Sequence, residues 1–190
     1  GISERIGVQG PGTTANMWPG LECLGMALDL WNRIDVTSGP SIDMGGPVVE
    51  ISGEGAGELA TGDDNLVHRA MAFLFSEADR EMPPVRIRCH NEIPLARGLG
   101  SSAAAISGGL VAANEMCSQL FSPNELLEMA ATIEGHPDNV AASVLGGLQL
   151  VVQDGQQLFT APINIPPEIH AVLFIPEDRI ATADARSVLK

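Results

Sequence analysis

Residues 94–105 read Pro-Leu-Ala-Arg-Gly-Leu-Gly-Ser-Ser-Ala-Ala-Ala, and this stretch decides how we interpret the fold. Gly98 and Gly100 can adopt backbone angles that are closed to other residues, and they let a ligand approach the main chain closely. The alanines after Ser101 and Ser102 favour a helix. Unpaired backbone N–H groups at the start of such a helix, together with its dipole, attract anions. The stretch therefore predicts a phosphate-binding loop, with an ordinary turn into a tightly packed helix as the alternative.

Two common glycine-rich loops do not fit this stretch. The Walker loop needs Gly-Lys-Ser/Thr, and the first lysine of the chain is Lys190. The spacing of Gly98, Gly100 and Ala103 matches the dinucleotide fingerprint, but that motif follows directly on an apolar strand and needs an acidic residue about 20 residues later. Here Pro94 interrupts the approach, and the later region looks like a helix start. The sequence thus disfavours both a Walker site and a nicotinamide site.

The overall composition limits the partners of the chain. Its 190 residues are 45% hydrophobic, which is enough for a core, and its formal net charge is −14. Such a charge repels nucleic acid and anionic membranes at long range, so we expect neither as a partner. Cys23, Cys89 and Cys117 lack the spacing of a zinc site or a disulfide framework. Free thiols, and the lack of an apolar run or leader, predict a soluble cytoplasmic protein.

Strands and helices alternate in the predicted order of elements. Polar and apolar residues alternate, or short apolar runs occur, in the predicted strands at 5–9, 31–38, 48–52, 85–90, 148–152, 158–159 and 170–175. The predicted helices begin near Leu66, Ser101, Pro123, Asn139 and Thr182. Pro83 and Pro84 should end the first of these helices. A capping box of Ser122 and Glu125, with Pro123 between them, marks the third.

The glycine-rich stretch resembles the second motif of the GHMP kinases, the family of galactokinase, homoserine kinase, mevalonate kinase and phosphomevalonate kinase. That motif has a proline, a few residues and then Gly-Leu-Gly-Ser-Ser-Ala, and the chain matches it from Pro94 through Ala103. Residues 11–28, 134–147 and 180–189 resemble the homoserine kinases within that family. The resemblance implies an α+β fold of the ribosomal protein S5 domain 2-like type, with a mixed sheet and helices packed on one side.

The same resemblance implies two domains and a binding site for ATP and Mg²⁺. An N-terminal ATP-binding domain would span residues 1–165, and residues 166–190 would begin a truncated C-terminal domain. The Ser102 hydroxyl and the Glu134 carboxylate would bind the magnesium ion, with ATP phosphates and water completing its octahedral shell. Asn65 matches an asparagine that lies against the adenine, although alone it predicts a helix cap. The implied ATP-binding residues are Asn65, Pro94, Leu95, Ala96, Arg97, Gly98, Leu99, Gly100, Ser101, Ser102, Ala103 and Ala104.

The resemblance also implies a site for an amino acid substrate. Arg186 would bind the substrate carboxylate, because its planar guanidinium meets a carboxylate through two hydrogen bonds. Asp138 is the available carboxylate if a general base operates. Outside the family, Asn16 would be a turn residue, His136 a loop histidine and Asp138 a helix cap. The implied catalytic residues are Asp138, Asn139 and Thr182, and the implied substrate-binding residues are Asn16, Glu22, His136 and Arg186.

Together these matches predict ATP-dependent phosphorylation of the side-chain hydroxyl of L-homoserine, a step in threonine biosynthesis. The expected partners are the small molecules ATP and L-homoserine, and homodimer formation stays open. Trp18, Leu21 and Glu22 depart from the first homoserine kinase motif, which has glycine, phenylalanine and aspartate there. Three alternatives therefore remain: a kinase of another small alcohol, a nucleotide-binding homologue without turnover, and an interaction module that binds neither.

Overall fold

The computed structural model describes residues 4–17, 20, 22–39, 42, 45–46, 48–155 and 157–175. Within these residues the chain forms six strands and four helices, which confirms the predicted α+β class. Their order is β1 (Glu4–Ala15), β2 (Leu24–Ser38), β3 (Val49–Gly53), α1 (Leu66–Glu77), β4 (Val85–Asn91), α2 (Ser101–Met116), α3 (Pro123–Glu134), α4 (Asp138–Leu145), β5 (Leu148–Asp154) and β6 (Gln157–Ile163). Thr182 and Arg186 lie outside the described residues, as do Trp18 and Leu21.

Strand β2 is the centre of the sheet. It pairs antiparallel with β1 along one edge, while on its other edge residues 33–38 pair with β4 and residues 24–26 pair with β5. Strand β3 extends the sheet parallel to β4, and β6 returns antiparallel to β5. Asp154 and Gln157 are partners at the end of this β5–β6 hairpin. The sheet is therefore mixed, as the sequence predicts.

The helices cover one face of this sheet. Ile34 and Val36 of β2 and Ile87 of β4 are at most 1% exposed and belong to the main hydrophobic core. Because side chains alternate between the faces of a strand, their neighbours point the other way. On that outer face Arg33 contacts Asp35 at 3.1 Å and Arg88 contacts a β3 glutamate at 3.0 Å. The apolar face is packed under helices, and the charged face is exposed.

Helix α2 occupies the middle of the helical layer. Its small residues allow close packing, since a Cβ on Gly109 would lie only 2.6 Å from the backbone oxygen of Val67 in α1. A Cβ on Gly108 would meet the end of the Ile34 side chain in β2. Contacts with β1, α1, α3 and α4 surround the helix.

The end of α1 differs from the prediction. The helix stops at Glu77, well before Pro83, because Asp79 adopts a left-handed conformation with φ of 51°. The amide of Arg80 then donates to the carbonyl of Phe75 at 3.0 Å, which is the hydrogen bond of a Schellman-type end. The prediction that the prolines end this helix is therefore wrong.

Two strand predictions also need correction. β1 continues beyond Gln9 to Ala15, because its second half pairs with the start of β2 across a bulge between Pro11 and Thr13. Residues 170–175 form no strand, and no described strand pairs with them. Val172 and Phe174 are 75% and 92% exposed.

Among the described helices, none combines the length and apolar character needed to cross a bilayer.

Candidate functional site

The loop between β4 and α2 has a backbone that requires glycine. Gly98 and Gly100 both have φ of 67°, and Gly100 is the N-cap of α2. A Cβ on Gly100 would overlap the hydroxyl of Thr13, whose backbone amide donates to Leu99 O at 2.9 Å. A Cβ on Gly98 would meet no atom within 4 Å. Glycine is thus required at Gly100 by both the backbone conformation and the packing, and at Gly98 by the backbone conformation alone.

A row of backbone amides at the start of α2 is not engaged by the protein. Within the described part of the chain, the amides of residues 98–103 donate to no protein atom. The first engaged amide of this region belongs to Ala104, which donates to Gly100 O at 2.9 Å. Such N–H groups, with the positive end of the helix dipole behind them, bind anions well. We call the amides of residues 98–103 the amide cradle.

A cavity of about 540 Å³ lies beside the amide cradle. Its walls include apolar side chains, among them Ile51, Leu59 and Leu95, and a polar part that contains Glu134 and Asn139. This volume is within the range of small-molecule and cofactor pockets. The cavity can therefore hold an apolar ring system at one part of its wall and an anionic group at the cradle.

Two side-chain oxygens meet at the edge of the amide cradle. The Ser102 hydroxyl, in the first turn of α2, donates to Glu134 Oε1 in the last turn of α3 at 2.6 Å. The last turn of α3 has no basic residue, so the Glu134 carboxylate faces the negative end of its own helix dipole. A cation at this place would relieve that repulsion. In the described residues no cluster of three or more His, Cys, Asp or Glu could hold a metal ion, so a cation here would need ligand atoms from its substrate.

A second polar group follows Glu134 in the turn between α3 and α4. His136 Nδ1 lies 2.9 Å from Asp138 Oδ1, and that oxygen also accepts from the amide of Asn139 at 2.8 Å. Asp138 is 1% exposed and is not part of the cavity wall, whereas His136 and Asn139 are. Because an ionised carboxylate only accepts hydrogen bonds, Nδ1 is the donor of this pair, and Nε2 on the other side of the ring lies 3.9 Å from Glu134 Oε1. Asp138 therefore orients His136.

The first motif of the sequence contributes Asn16 to the cavity but not Glu22. Both residues have left-handed backbone conformations, with φ of 59° and 62°. Asn16 Oδ1 accepts a hydrogen bond from the Glu22 amide at 3.2 Å. Asn16 lines the cavity, while the Glu22 side chain is exposed and lies outside the described wall. The hydrogen bond between them closes the turn that presents Asn16.

Asn65 is both the N-cap of α1 and part of the cavity wall. Its Oδ1 accepts from the Val67 amide at 2.9 Å, and its Nδ2 donates to Ala60 O at 2.8 Å. These two bonds hold the side chain in place. A ligand ring at this wall would therefore meet a fixed carboxamide plane.

The structure brings most of the predicted site residues together around one cavity. Ala103 and Ala104 are fully buried inside α2 and are not part of the cavity wall, although the amide of Ala103 belongs to the amide cradle. The predicted residues in the wall are Asn16, Asn65, Pro94, Leu95, Ala96, Arg97, Gly98, Leu99, Gly100, Ser101, Ser102, Glu134, His136 and Asn139.

Asn32 and Thr13 are among the polar residues in or beside this site that sequence analysis misses. Asn32 of β2 is 2% exposed, and its Oδ1 accepts from the amides of Glu92 and Ile93 at 2.9 and 3.0 Å, where β4 leads into the loop. An asparagine at an inward position of an apolar strand is a signal that could have revealed it. Thr13 is fully buried and donates to Asn139 Oδ1 at 2.9 Å. Nothing in the sequence near Thr13 indicates that distant partner.

Cys89 also lines the cavity. Burial raises the pKa of its thiol to about 11, because desolvation disfavours the thiolate. The thiol is therefore neutral near pH 7 and is a poor nucleophile. Its contribution to the wall is apolar surface.

Comparison with known proteins gives a consistent set of relatives. Residues 65–147 match the family model for the GHMP kinases N terminal domain. A homoserine kinase from Synechocystis sp. is 42% identical over 94% of this chain and 58% of its own length. One from Moorella thermoacetica is 41% identical over 96% of this chain and 60% of its own length. The chain thus spans about three fifths of these curated relatives.

Solved structures show the same likeness. The crystal structure of a homoserine kinase from Cytophaga hutchinsonii matches with a TM-score of 0.78 and 27% identity, covering 97% of this chain and 59% of that one. A mevalonate kinase from Methanococcus jannaschii matches with a TM-score of 0.63 at 14% identity, covering 85% of this chain and 56% of that one. At 14% identity, the match to the mevalonate kinase shows similarity of fold only.

Proposed function

We propose that the chain carries the N-terminal domain of a GHMP kinase and that it binds ATP for transfer of the γ-phosphoryl group to L-homoserine. The acceptor is the side-chain hydroxyl, and the product is O-phospho-L-homoserine, which places the reaction in threonine biosynthesis. The named relatives support this choice of alcohol. The protein would act in the cytoplasm with these two small molecules as partners.

The observation that carries the proposal is the unengaged amide cradle beside the cavity. Within the described residues, six consecutive amides, those of residues 98–103, have no protein acceptor. A triphosphate supplies several anionic oxygens for such donors. In a chain of net charge −14, local donors of this kind are the means of attracting a polyanion. We place the phosphates of ATP at the cradle and its adenosine in the rest of the cavity, with the base near Asn65.

We place a magnesium ion at Ser102 and Glu134, because their oxygens lie side by side at the cradle. Magnesium commonly takes one or two carboxylates and completes its shell with substrate phosphates and water. When bound, the ion would neutralise charge on the phosphates during transfer. The carboxylate of Glu134 would then have a cation to offset the helix dipole.

The residues after Glu134 would align the alcohol. His136 lines the cavity wall, and Asp138 orients its ring by accepting a hydrogen bond from Nδ1. Asn16 and Asn139 would contact the substrate from the same wall. Because alignment and charge stabilisation dominate phosphoryl transfer, no strong general base is required. Thr182 near the reacting group, Glu22 on the ammonium and Arg186 on the carboxylate complete the proposed set.

We also propose that the ATP-binding domain comprises residues 1–165 and that residues 166–190 begin a second domain. The last described strand, β6, ends at Ile163, and residues 164–175 contain no helix or strand. Limited proteolysis would then cut first after residue 163. Initial cleavage within β2 or α2 would contradict this boundary.

Incubation of the chain with Mg-ATP and a panel of small alcohols tests the function. We expect phosphorylated L-homoserine, identified by mass spectrometry, and no product from L-serine or mevalonate. A different phosphorylated alcohol would indicate a kinase of another substrate. Nucleotide binding without any product would indicate a homologue without turnover, and no binding would indicate an interaction module.

The magnesium assignment has its own test, in which ATP affinity is measured by calorimetry with and without Mg²⁺. In Ser102→Ala and in Glu134→Gln, the gain in ATP affinity on adding Mg²⁺ should be at least about tenfold smaller than in the native chain. This difference is equivalent to about 1.4 kcal/mol. Glu128→Gln removes one exposed carboxylate from the same helix and is the matched control. An unchanged gain in both site variants would overturn the assignment.

A further inference from the structure

We propose that Thr13 is a positioning residue that fixes the Asn139 carboxamide with its nitrogen directed to the ligand. The hydrogen bond between the two side chains is a feature of the structure, and the identity of the ligand rests on the proposed function. Thr13 is absent from the residues that the sequence motifs assign to substrates. Its importance comes from three elements that meet around it.

Thr13 lies where β1, the glycine loop and α4 converge. Its side chain is fully buried just after the bulge in β1. The backbone amide donates to Leu99 O at 2.9 Å, and the hydroxyl lies where a Cβ on Gly100 would be. The hydroxyl is therefore packed directly against Gly100. The hydroxyl is held at a fixed point beside the amide cradle.

The hydroxyl of Thr13 has one proton, and it donates that proton to Asn139 Oδ1 at 2.9 Å. A carboxamide has an acceptor end and a donor end, so occupying Oδ1 leaves Nδ2 as the group available to a ligand. Among the described residues, no protein atom accepts from Asn139 Nδ2, and Asn139 lines the cavity. The backbone of Asn139 is also fixed, because its amide donates to Asp138 Oδ1 at 2.8 Å.

The direction of the carboxamide decides its chemistry. With Nδ2 towards the cavity, Asn139 donates a hydrogen bond to a phosphoryl oxygen. With the carboxamide turned over, Oδ1 would face the same anionic oxygen and repel it. A donor that is already aimed at developing charge needs no reorganisation during the reaction, and this favours the transition state. By donating to Oδ1, Thr13 holds the carboxamide with Nδ2 towards the cavity, without touching the substrate.

The kinetic test compares Thr13→Val, which keeps the shape and removes the hydroxyl, with Thr13→Ser, which keeps the hydroxyl. We expect Thr13→Val to lower kcat roughly 10- to 100-fold, with the KM for ATP changed less than about threefold, because Asn139 Nδ2 would no longer be aimed at the transferred phosphate. Thr13→Ser should restore most of kcat. Equal losses in the two variants, or a loss confined to KM, would overturn the proposal.

A second measurement does not depend on turnover. The Nδ2 proton signals of Asn139, assigned by NMR, should shift on adding Mg-ATP in the native chain and in Thr13→Ser, but not in Thr13→Val. If the native chain binds no Mg-ATP, the proposed function fails, and the hydrogen bond is then tested in the free protein. There Thr13→Ser should keep the native Asn139 signals and Thr13→Val should change them. The same Asn139 signals in all three proteins would overturn the positioning role.

Discussion

At the scale of single residues, the proposed site would attract anions through the main chain rather than through basic side chains. The chain has 10 Lys and Arg residues against 24 Asp and Glu. The amide cradle needs two backbone conformations that place Gly98 and Gly100 in the left-handed region. Only Gly100 also lacks space for a side chain, because Thr13 is packed against it. Substitution of these two glycines can therefore separate the energetic cost of the left-handed conformation from the cost of packing against Thr13.

We predict that Gly100→Ala destabilises the fold more than Gly98→Ala. Both substitutions carry the cost of a left-handed alanine, about 1–2 kcal/mol. Gly100→Ala adds overlap with Thr13, which costs a further 1–3 kcal/mol or so by analogy with overpacked cores. Urea unfolding without nucleotide measures both free energies. Equal free energies of unfolding for the two variants would show that packing against Thr13 is unimportant.

Sequence could predict the residues of the site that are contiguous, and not those joined by distant contacts. The glycine loop, Ser102 and Glu134 belong to continuous motifs, and the structure places them at one cavity. The bond from Thr13 to Asn139 spans 126 residues of chain, and Asn32 reaches amides 60 and 61 residues away. Such pairs arise from sheet register and helix packing. Local patterns contain no information on them.

At the scale of elements, the contact between α1 and α2 sets the shape of the cavity. α1 begins beside Asn65, and α2 begins at the amide cradle, so their spacing separates the two parts of the wall. Gly109 brings the two backbones together, since any Cβ at its position would lie 2.6 Å from Val67 O. Gly108 instead faces the terminal methyl of Ile34, which can move by side-chain rotation.

We predict opposite consequences for alanine at these neighbouring glycines. Alanine within a helix gains roughly 0.5–1 kcal/mol over glycine, and Gly108→Ala should keep part of this gain. Gly109→Ala should lose about 1–3 kcal/mol, because a backbone oxygen cannot rotate away. Thermal unfolding gives the order of stability. A Gly109→Ala protein as stable as Gly108→Ala would contradict the close helix contact.

The starts of helices were easier to predict than their ends or the lengths of strands. The capping box at Ser122 and Glu125 is confirmed, because short side chains near a helix start carry the signal locally. The end of α1 depends on a left-handed aspartate, which is an uncommon conformation for that residue. The second half of β1 exists because β2 pairs with it. Residues 170–175 have strand-like composition but no described partner strand.

At the scale of the whole molecule, the charge of the chain opposes the ligand that the site favours. A net charge of −14 produces a long-range repulsion of nucleotide, which dissolved salt screens over about 10 Å at 0.1 M. The amide cradle acts only at contact distance, where screening is weak. Long-range and local electrostatics therefore have opposite signs in this protein.

We predict that moderate salt accelerates nucleotide association. At constant free Mg²⁺, raising NaCl from about 20 to 200 mM should increase the association rate of Mg-ATP, because the repulsion is screened. Stopped-flow fluorescence with a labelled ATP analogue measures this rate. A labelled uncharged nucleoside is the control and should show little dependence. A steep fall of the ATP rate with salt would instead indicate long-range attraction.

The most direct measurement follows the backbone amides of residues 98–103 by ¹⁵N–¹H NMR during titration with Mg-ATP. We expect these amide protons to move downfield together and to saturate with the nucleotide, as donors do on binding an anionic oxygen. Adenosine, which lacks phosphates, should leave them unshifted. Saturating Mg-ATP that shifts amides elsewhere while those of residues 98–103 stay unchanged would contradict the phosphate cradle.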